Sequence, residues 1–228
     1  MKNMNTLLFV LILSGAAFAY ADDAPYESTY KPLPYTNTIF RNANIYDGDG
    51  NEFQNTDLFI RDGKIIAIGK DLPGSSDFIE IDASNKWITP GIIDIHSHMG
   101  VYPAPSVRTS SDGNEATSPV TADVWAEHSI WVQDPQFALA LKGGVTTFHV
   151  LPGSANLIGG RGVTAKNLQR NTINSMKYPN APHSLKMACG ENPKRVYGNR
   201  NQAPSTRMGN IAGYRKSWIK AEAYLSRL

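Results

Sequence analysis

The chain has 228 residues, 41% of them hydrophobic and 18% charged, with 19 glycines and 14 prolines, a composition that belongs to a globular protein able to bury a core. Its net charge is +2 and its lysines and arginines are spread out, so nothing in it favours a nucleic-acid partner. Cys189 is its one cysteine, which excludes an internal disulfide.

The first segment, MKNMNTLLFVLILSGAAFAYADD, carries Lys2, an apolar run from Leu7 to Ala19, and small residues at Ala17, Ala19 and Ala21 ahead of acid. That is the pattern of a secretory signal peptide over residues 1–21, with cleavage expected after Ala19 or Ala21. The run is shorter than the roughly 20 residues of a spanning helix, so no membrane association is expected after cleavage. The mature chain is expected to be secreted or periplasmic. With no disulfide, its stability must come from packing or metal.

A polar, proline-containing linker at residues 22–37 leads into a small β domain at residues 38–90. TIFRNANIYD ends in the turn DGDG, and DLFI and KIIAIG flank Asp62-Gly63, a strong hairpin signal because a type I′ turn needs positive φ at both central residues. DFIEIDA alternates apolar with acidic or polar residues. Asp47, Asp49 and Asn51 imitate the start of an EF-hand loop, but that loop needs Gly sixth and Glu twelfth, where Glu52 and Leu58 stand. DGDGNE therefore reads as a turn.

From Pro90 the pattern changes to strand-helix alternation. GIIDIHSH is a strand, DPQFALALKGG a helix ending at a glycine cap, VTTFHVLP a second strand and SLKMACG a third. In NIAGYRKSWIKAEAYLSRL, Ile211, Tyr214, Trp218, Leu225 and Leu228 fall at helical spacing with Lys and Arg on the other face. Alternating strands and helices imply parallel pairing and an α/β fold. The segment TSSDGNEATSPVTADVWAEHSIWVQ is long enough to be an active-site loop, and NLIGGRGV, which lacks a P-loop pattern, reads as a flexible loop.

Alternation along a strand puts His96 and His98 on one face, about 7 Å apart, with Asp94 and Ile92. Ile93, Ile95, Ser97 and Met99 point the other way. A strand apolar on both faces is expected to be buried on both, as in parallel sheets, with its polar end at the carboxyl edge where α/β folds place their sites. Two imidazoles there can bind one metal ion. Asp94 is expected to hold a histidine N–H or a neighbouring backbone group.

NKWITPGIIDIHSHMG after RDGKIIAIG and IEIDAS resembles the amidohydrolase superfamily. LALKGGVTTFHVLPGSANLIGGRGV and LKMACGENPKRVYG resemble its imidazolonepropionase-like branch, so the likeness covers nearly all of the mature chain. The resemblance implies a small N-terminal β-sandwich-like domain and a metallo-dependent hydrolase TIM (β/α)8 barrel. It further implies metal-assisted hydrolysis of a non-peptide C–N bond in a small-molecule substrate, with one or two divalent cations, commonly zinc, lowering the pKa of water from 15.7 to about 7. His96 and His98 are the implied metal ligands. A catalytic zinc usually takes three protein ligands, and Glu191 is the implied third, a solvated loop carboxylate being the competing reading. Other branches use a carboxylated lysine, which the sequence does not reveal.

His149 could line the barrel or be a satisfied buried residue. His128 and His183 read as loop or surface residues, Cys189 as a small buried thiol with a soft metal ligand as the alternative, and Lys194 and Arg195 as solvated charges with attraction of a substrate carboxylate as theirs. A full barrel takes about 250 residues, so residues 91–228 are expected to form an incomplete, N-terminal part of one, three or four βα units long. Its open edge would need a C-terminal half or a homo-oligomer. The alternatives left open are a deaminase and a noncatalytic fragment.

Overall fold

The computed structural model describes residues 26–228. The expected signal peptide and the first four linker residues lie outside the described residues. Strands β1 (Thr38–Tyr46), β2 (Glu52–Arg61), β3 (Lys64–Gly69), β4 (Ile79–Asp82) and β5 (Trp87–Ile88) form one sheet in the order β3-β2-β1-β4, with β5 also beside β1. Asp62 and Gly63 turn β2 into β3 with φ of 51° and 71°, the backbone that the Asp-Gly pair predicts. DGDGNE is a turn as well: Asp47 accepts N–H bonds from Asp49 at 2.8 Å and from Asn51 at 3.1 Å.

This domain is a single sheet among the described residues, where two stacked layers are expected. Ala43, Ile45, Leu58 and Ala83 are buried on one face. Ile65, Ile66 and Ile79 are 63%, 55% and 52% exposed, so that apolar surface has no second layer against it.

One corner of the sheet is pinned by charge. Asp57, almost fully buried, accepts N–H bonds from Asn42 and Leu72 and pairs with Arg41 at 2.7 Å, and Arg41 also holds Glu80. Burial alone would raise the Asp57 carboxyl, but those hydrogen bonds and the guanidinium outweigh it and hold it below the usual carboxylate range. A depressed folded-state value gives stability that is present above the unfolded value, near 4, and is lost as pH falls through the folded one. The melting temperature of Asp57→Asn should therefore lie below wild type at pH 7, and the gap should narrow as pH falls below about 4. A gap that does not narrow with falling pH would assign the effect to packing.

The second unit begins with β6 (Ile92–Ser97), followed by α1 (Pro135–Lys142), β7 (Val145–Val150), β8 (Ile158–Arg161), β9 (Val163–Lys166), β10 (Leu185–Met187), α2 (Glu191–Gly198) and α3 (Arg207–Leu225). The expected parallel pairing is found between β6 and β7. The next neighbour, β9, runs antiparallel to β7, and the predicted third strand, β10, pairs antiparallel with β8 in a separate two-stranded sheet.

The cause lies in NLIGGRGV, which is not a flexible loop but the buried strand β8 and the start of β9. Its glycines permit close backbone approach: at Gly160, φ is +107° and a Cβ would come within 2.5 Å of the Val124 carbonyl oxygen. The long insertion before α1 is thereby seated against β8, with bridges from Val120 to Ile158 and from Trp125 to Arg161. Buried Asn156 donates to the Glu115 and Ser118 carbonyls and to the Thr121 hydroxyl, fixing the insertion from below.

The core of this unit gathers Val101, Phe137, Phe148, Val150, Val163 and Met176, with Phe137 stacked on Phe148 at 5.1 Å. Strand β6 departs from expectation, because Ile92, Ile93 and Ile95 are 52%, 62% and 77% exposed. It has β7 on one side and no strand on the other among the described residues. The stripe on α3 is likewise bare, with Ile211, Trp218, Leu225 and Leu228 each more than half exposed. The described part of the linker is docked on this unit: the Ser28 hydroxyl donates to the Lys177 carbonyl at 2.7 Å and Thr29 N–H to the Asn174 carbonyl at 2.9 Å.

Candidate metal centre

Strand β6 carries His96, and His98 follows its end. Their rings meet edge to face at 5.3 Å, which brings the two predicted ligands together at the carboxyl end of the β6–β7 pair. The His98 Nδ1 lies 2.8 Å from the Leu151 carbonyl oxygen. A carbonyl only accepts, so Nδ1 carries the proton and Nε2 keeps a free lone pair. Leu151 is itself held by its N–H bond to the Ser97 carbonyl at 3.0 Å. This is the outer-sphere orientation that metal-binding imidazoles use.

Asp94 accepts the His96 backbone N–H at 3.0 Å, one of the two roles expected of it. On the other side of His96, Lys186 Nζ lies 3.3 Å from Nε2. Lys186 is the central residue of β10 and is 9% exposed, and burial pushes its amine down. Its charge is the largest influence lowering the His96 pKa, followed by burial and His98, with Asp94 opposing. The site thus favours a neutral His96 imidazole, the form in which nitrogen has a lone pair to share, and weakens the hold of Lys186 on its proton.

Glu191, the expected third ligand, does not join them. It opens α2 with its side chain 83% exposed, 3.6 Å from Arg195 one turn on. The turn through Gly190, at φ +92°, carries the chain into α2 immediately after the strand, and the carboxylate ends in solvent. Among the described residues no group of three His, Cys, Asp or Glu side chains gathers. The donors that do converge are two imidazoles and one amine, which fit a divalent cation as part of its ligand set. The signal for Lys186 was a charge at the centre of the apolar strand SLKMACG.

The other residues separate cleanly. Both nitrogens of His149 are engaged, Nδ1 with the Thr164 hydroxyl at 2.9 Å and Nε2 with the Ser184 hydroxyl at 2.6 Å, so it is a satisfied, half-buried histidine. His183 donates from Nδ1 to the Gly162 carbonyl and packs edge-on against Trp125 at 4.7 Å. His128 is 57% exposed, and Cys189 is exposed where a buried thiol is expected. Beside His98 the sequence hid one further group. The Tyr102 ring meets the His98 ring edge to face at 5.6 Å, and its hydroxyl accepts from the Asn114 amide, so the phenol proton is left to donate. Burial raises the Tyr102 pKa and keeps that proton in place.

No protein-family model matches the chain. It is 32% identical over 216 residues to the amidohydrolase tasK of Hapsidospora irregularis, across 83% of this chain and 22% of that protein. It is 44% identical over 63 residues to a dihydroorotase of Ligilactobacillus salivarius, across 27% of this chain and 14% of that one. Among solved structures, an amidohydrolase from Thermotoga maritima MSB8 superposes with a TM-score of 0.76 at 38% identity, over 83% of this chain and 49% of its own. The chain therefore spans about a fifth of the Hapsidospora relative and about half of the Thermotoga structure. That structure gives the fold of the second unit as the metallo-dependent hydrolase type. On these likenesses, and on the paired histidines at the strand end, the chain belongs to the amidohydrolase superfamily.

Proposed function

We propose that this chain is the N-terminal part of an exported, metal-dependent amidohydrolase of the imidazolonepropionase-like branch, acting on an amide or cyclic amide of a small molecule. The observation that carries the proposal is the convergence of His96, His98 and buried Lys186 at one strand edge. His96 and His98 would hold the cation through neutral imidazoles. Lys186 would be the third ligand in place of Glu191, as a carbamate formed when its amine nitrogen bonds the carbon of CO₂ and releases one proton. The carbamate presents anionic oxygen to the cation, which an amine cannot.

When bound, zinc or a similar cation supplies Lewis-acid polarisation of the scissile carbonyl and a water of lowered pKa. This chain's own residues would do the rest: the Leu151 carbonyl orients His98, Asp94 fixes the His96 backbone, and Tyr102, whose ring meets that of His98, would offer a proton to a substrate oxygen at the site's edge. A C-terminal half or a second copy would cover the exposed flank of β6 and complete the ligands. A deaminase is the second reading within the same chemistry, supported by a 30% identity over 86 residues to an adenine deaminase of Lactobacillus delbrueckii.

The test is elemental analysis of the purified mature chain beside a His96→Ala, His98→Ala double variant, with and without bicarbonate. Near-stoichiometric zinc, raised by bicarbonate and absent from the double variant, is the expected outcome. Lys186→Gln should bind less metal and lose the bicarbonate response. Metal retained by the double variant, or none in any protein, would refute the centre and leave a noncatalytic fragment.

A further inference from the structure

A cavity of about 600 Å³ lies away from the histidines. It lies between the first half of α3 and the loop running through Pro119 and Val120, with the buried Leu157 as its floor and Pro204 closing one end. Its shape follows from small residues. Gly209, Ala212 and Gly213 present no side-chain bulk on that side of α3, and a Cβ at Gly213 would come within 2.3 Å of Leu157. The helix can approach the floor and leave a groove beside it only because these positions are small.

The polar lining is of one sign. Lys216 and Lys220, one helical turn apart and both exposed, stand at the edge of the groove, and among the described residues neither has an acidic partner. No Asp or Glu lines it. The Ser217 hydroxyl between them is already spent on the Gly213 carbonyl at 2.9 Å. An apolar trough with two unpaired ammonium groups at its mouth complements a molecule with a hydrocarbon body and a negative end.

We propose that this groove binds a free straight-chain carboxylate, its tail along Val120, Leu157 and Ala212 and its carboxylate between Lys216 and Lys220. A concave groove of about 600 Å³ suits a free amphiphile better than a lipid held in a bilayer. The lysine stems extend the apolar wall while their ammonium groups reach the carboxylate. The site is separate from the metal centre and does not depend on its occupancy.

Titration calorimetry of the full chain with dodecanoate, below its micelle-forming concentration, tests this. Saturable one-to-one binding is expected, weakened roughly tenfold in Lys216→Gln, Lys220→Gln, with dodecyltrimethylammonium roughly tenfold weaker than dodecanoate on wild type. Ala212→Phe, which fills the trough, should abolish binding. The lysine variant alters only exposed groups and so decides the matter even if Ala212→Phe unfolds. Absence of saturable binding, equal binding of both headgroups, or binding only to anionic vesicles would overturn the proposal. So would a dimer in sedimentation that Ala212→Phe dissociates, since the groove would then be an interface between copies.

Discussion

Replacing Lys177 by methionine is expected to destabilise the protein by roughly 3–5 kcal/mol, the cost of leaving a buried charge without its partner. Lys177 and Glu127 are 5% and 3% exposed, and Nζ lies 2.9 Å from Oε2 and 3.2 Å from Oε1. The Oε2 contact falls off the hydrogen-bond direction, so its attraction is ionic, while Oε1 accepts the proton. Nζ also donates to the Tyr26 carbonyl, so the same ammonium fastens the linker. Urea unfolding should show a lower midpoint with an unchanged slope, and chymotrypsin should cut after Tyr30 faster than in wild type. A double variant, Lys177→Met with Glu127→Leu, should recover much of the loss, because removing both charges removes the desolvation cost too. If the double variant is as unstable as the single one, the pair contributes by shape and not by charge.

Asp134→Ala should cost roughly 2–4 kcal/mol and also disturb the metal centre, a combination that a simple helix cap does not produce. The carboxylate is 2% exposed and accepts four N–H bonds: from Gln136 backbone at 3.0 Å and side chain at 2.9 Å, from Gly100 at 2.9 Å and from Ala104 at 3.3 Å. The first caps α1. Those from Gly100 and Ala104 pin the loop that leaves His98 and carries Tyr102. Without the carboxylate, buried N–H groups lose their acceptor and the loop loses its anchor. Asp134→Asn keeps one acceptor oxygen and should fall between. The expected readout is a lower urea midpoint together with weaker zinc uptake for Asp134→Ala. Unchanged zinc uptake at full folding would show that the loop holds His98 without Asp134.

Much of what positions the site was written locally. Asp62-Gly63 determined the β2–β3 hairpin, because positive φ at two successive residues admits few other residue pairs. Asp134-Pro135 set the start of α1, since a side-chain acceptor and a pre-set φ both favour a helix N-terminus. His96 and His98 came to one strand end because alternation is a property of extended backbone and needs no neighbours.

Tertiary structure decided what depends on partners distant in the chain. Lys186 reaches His96 across 90 residues only because β10 pairs with β8, a pairing made by glycines whose close approach no periodicity announces. Glu191 could be placed near a strand end from sequence, but the turn at Gly190 decided that its carboxylate faces solvent. The bare isoleucines of β6 were readable as apolar, and whether they are covered depends on what packs beside them. Residue type and spacing fix the local backbone and its faces, while the burial and company of each side chain are set by contacts between segments far apart in sequence.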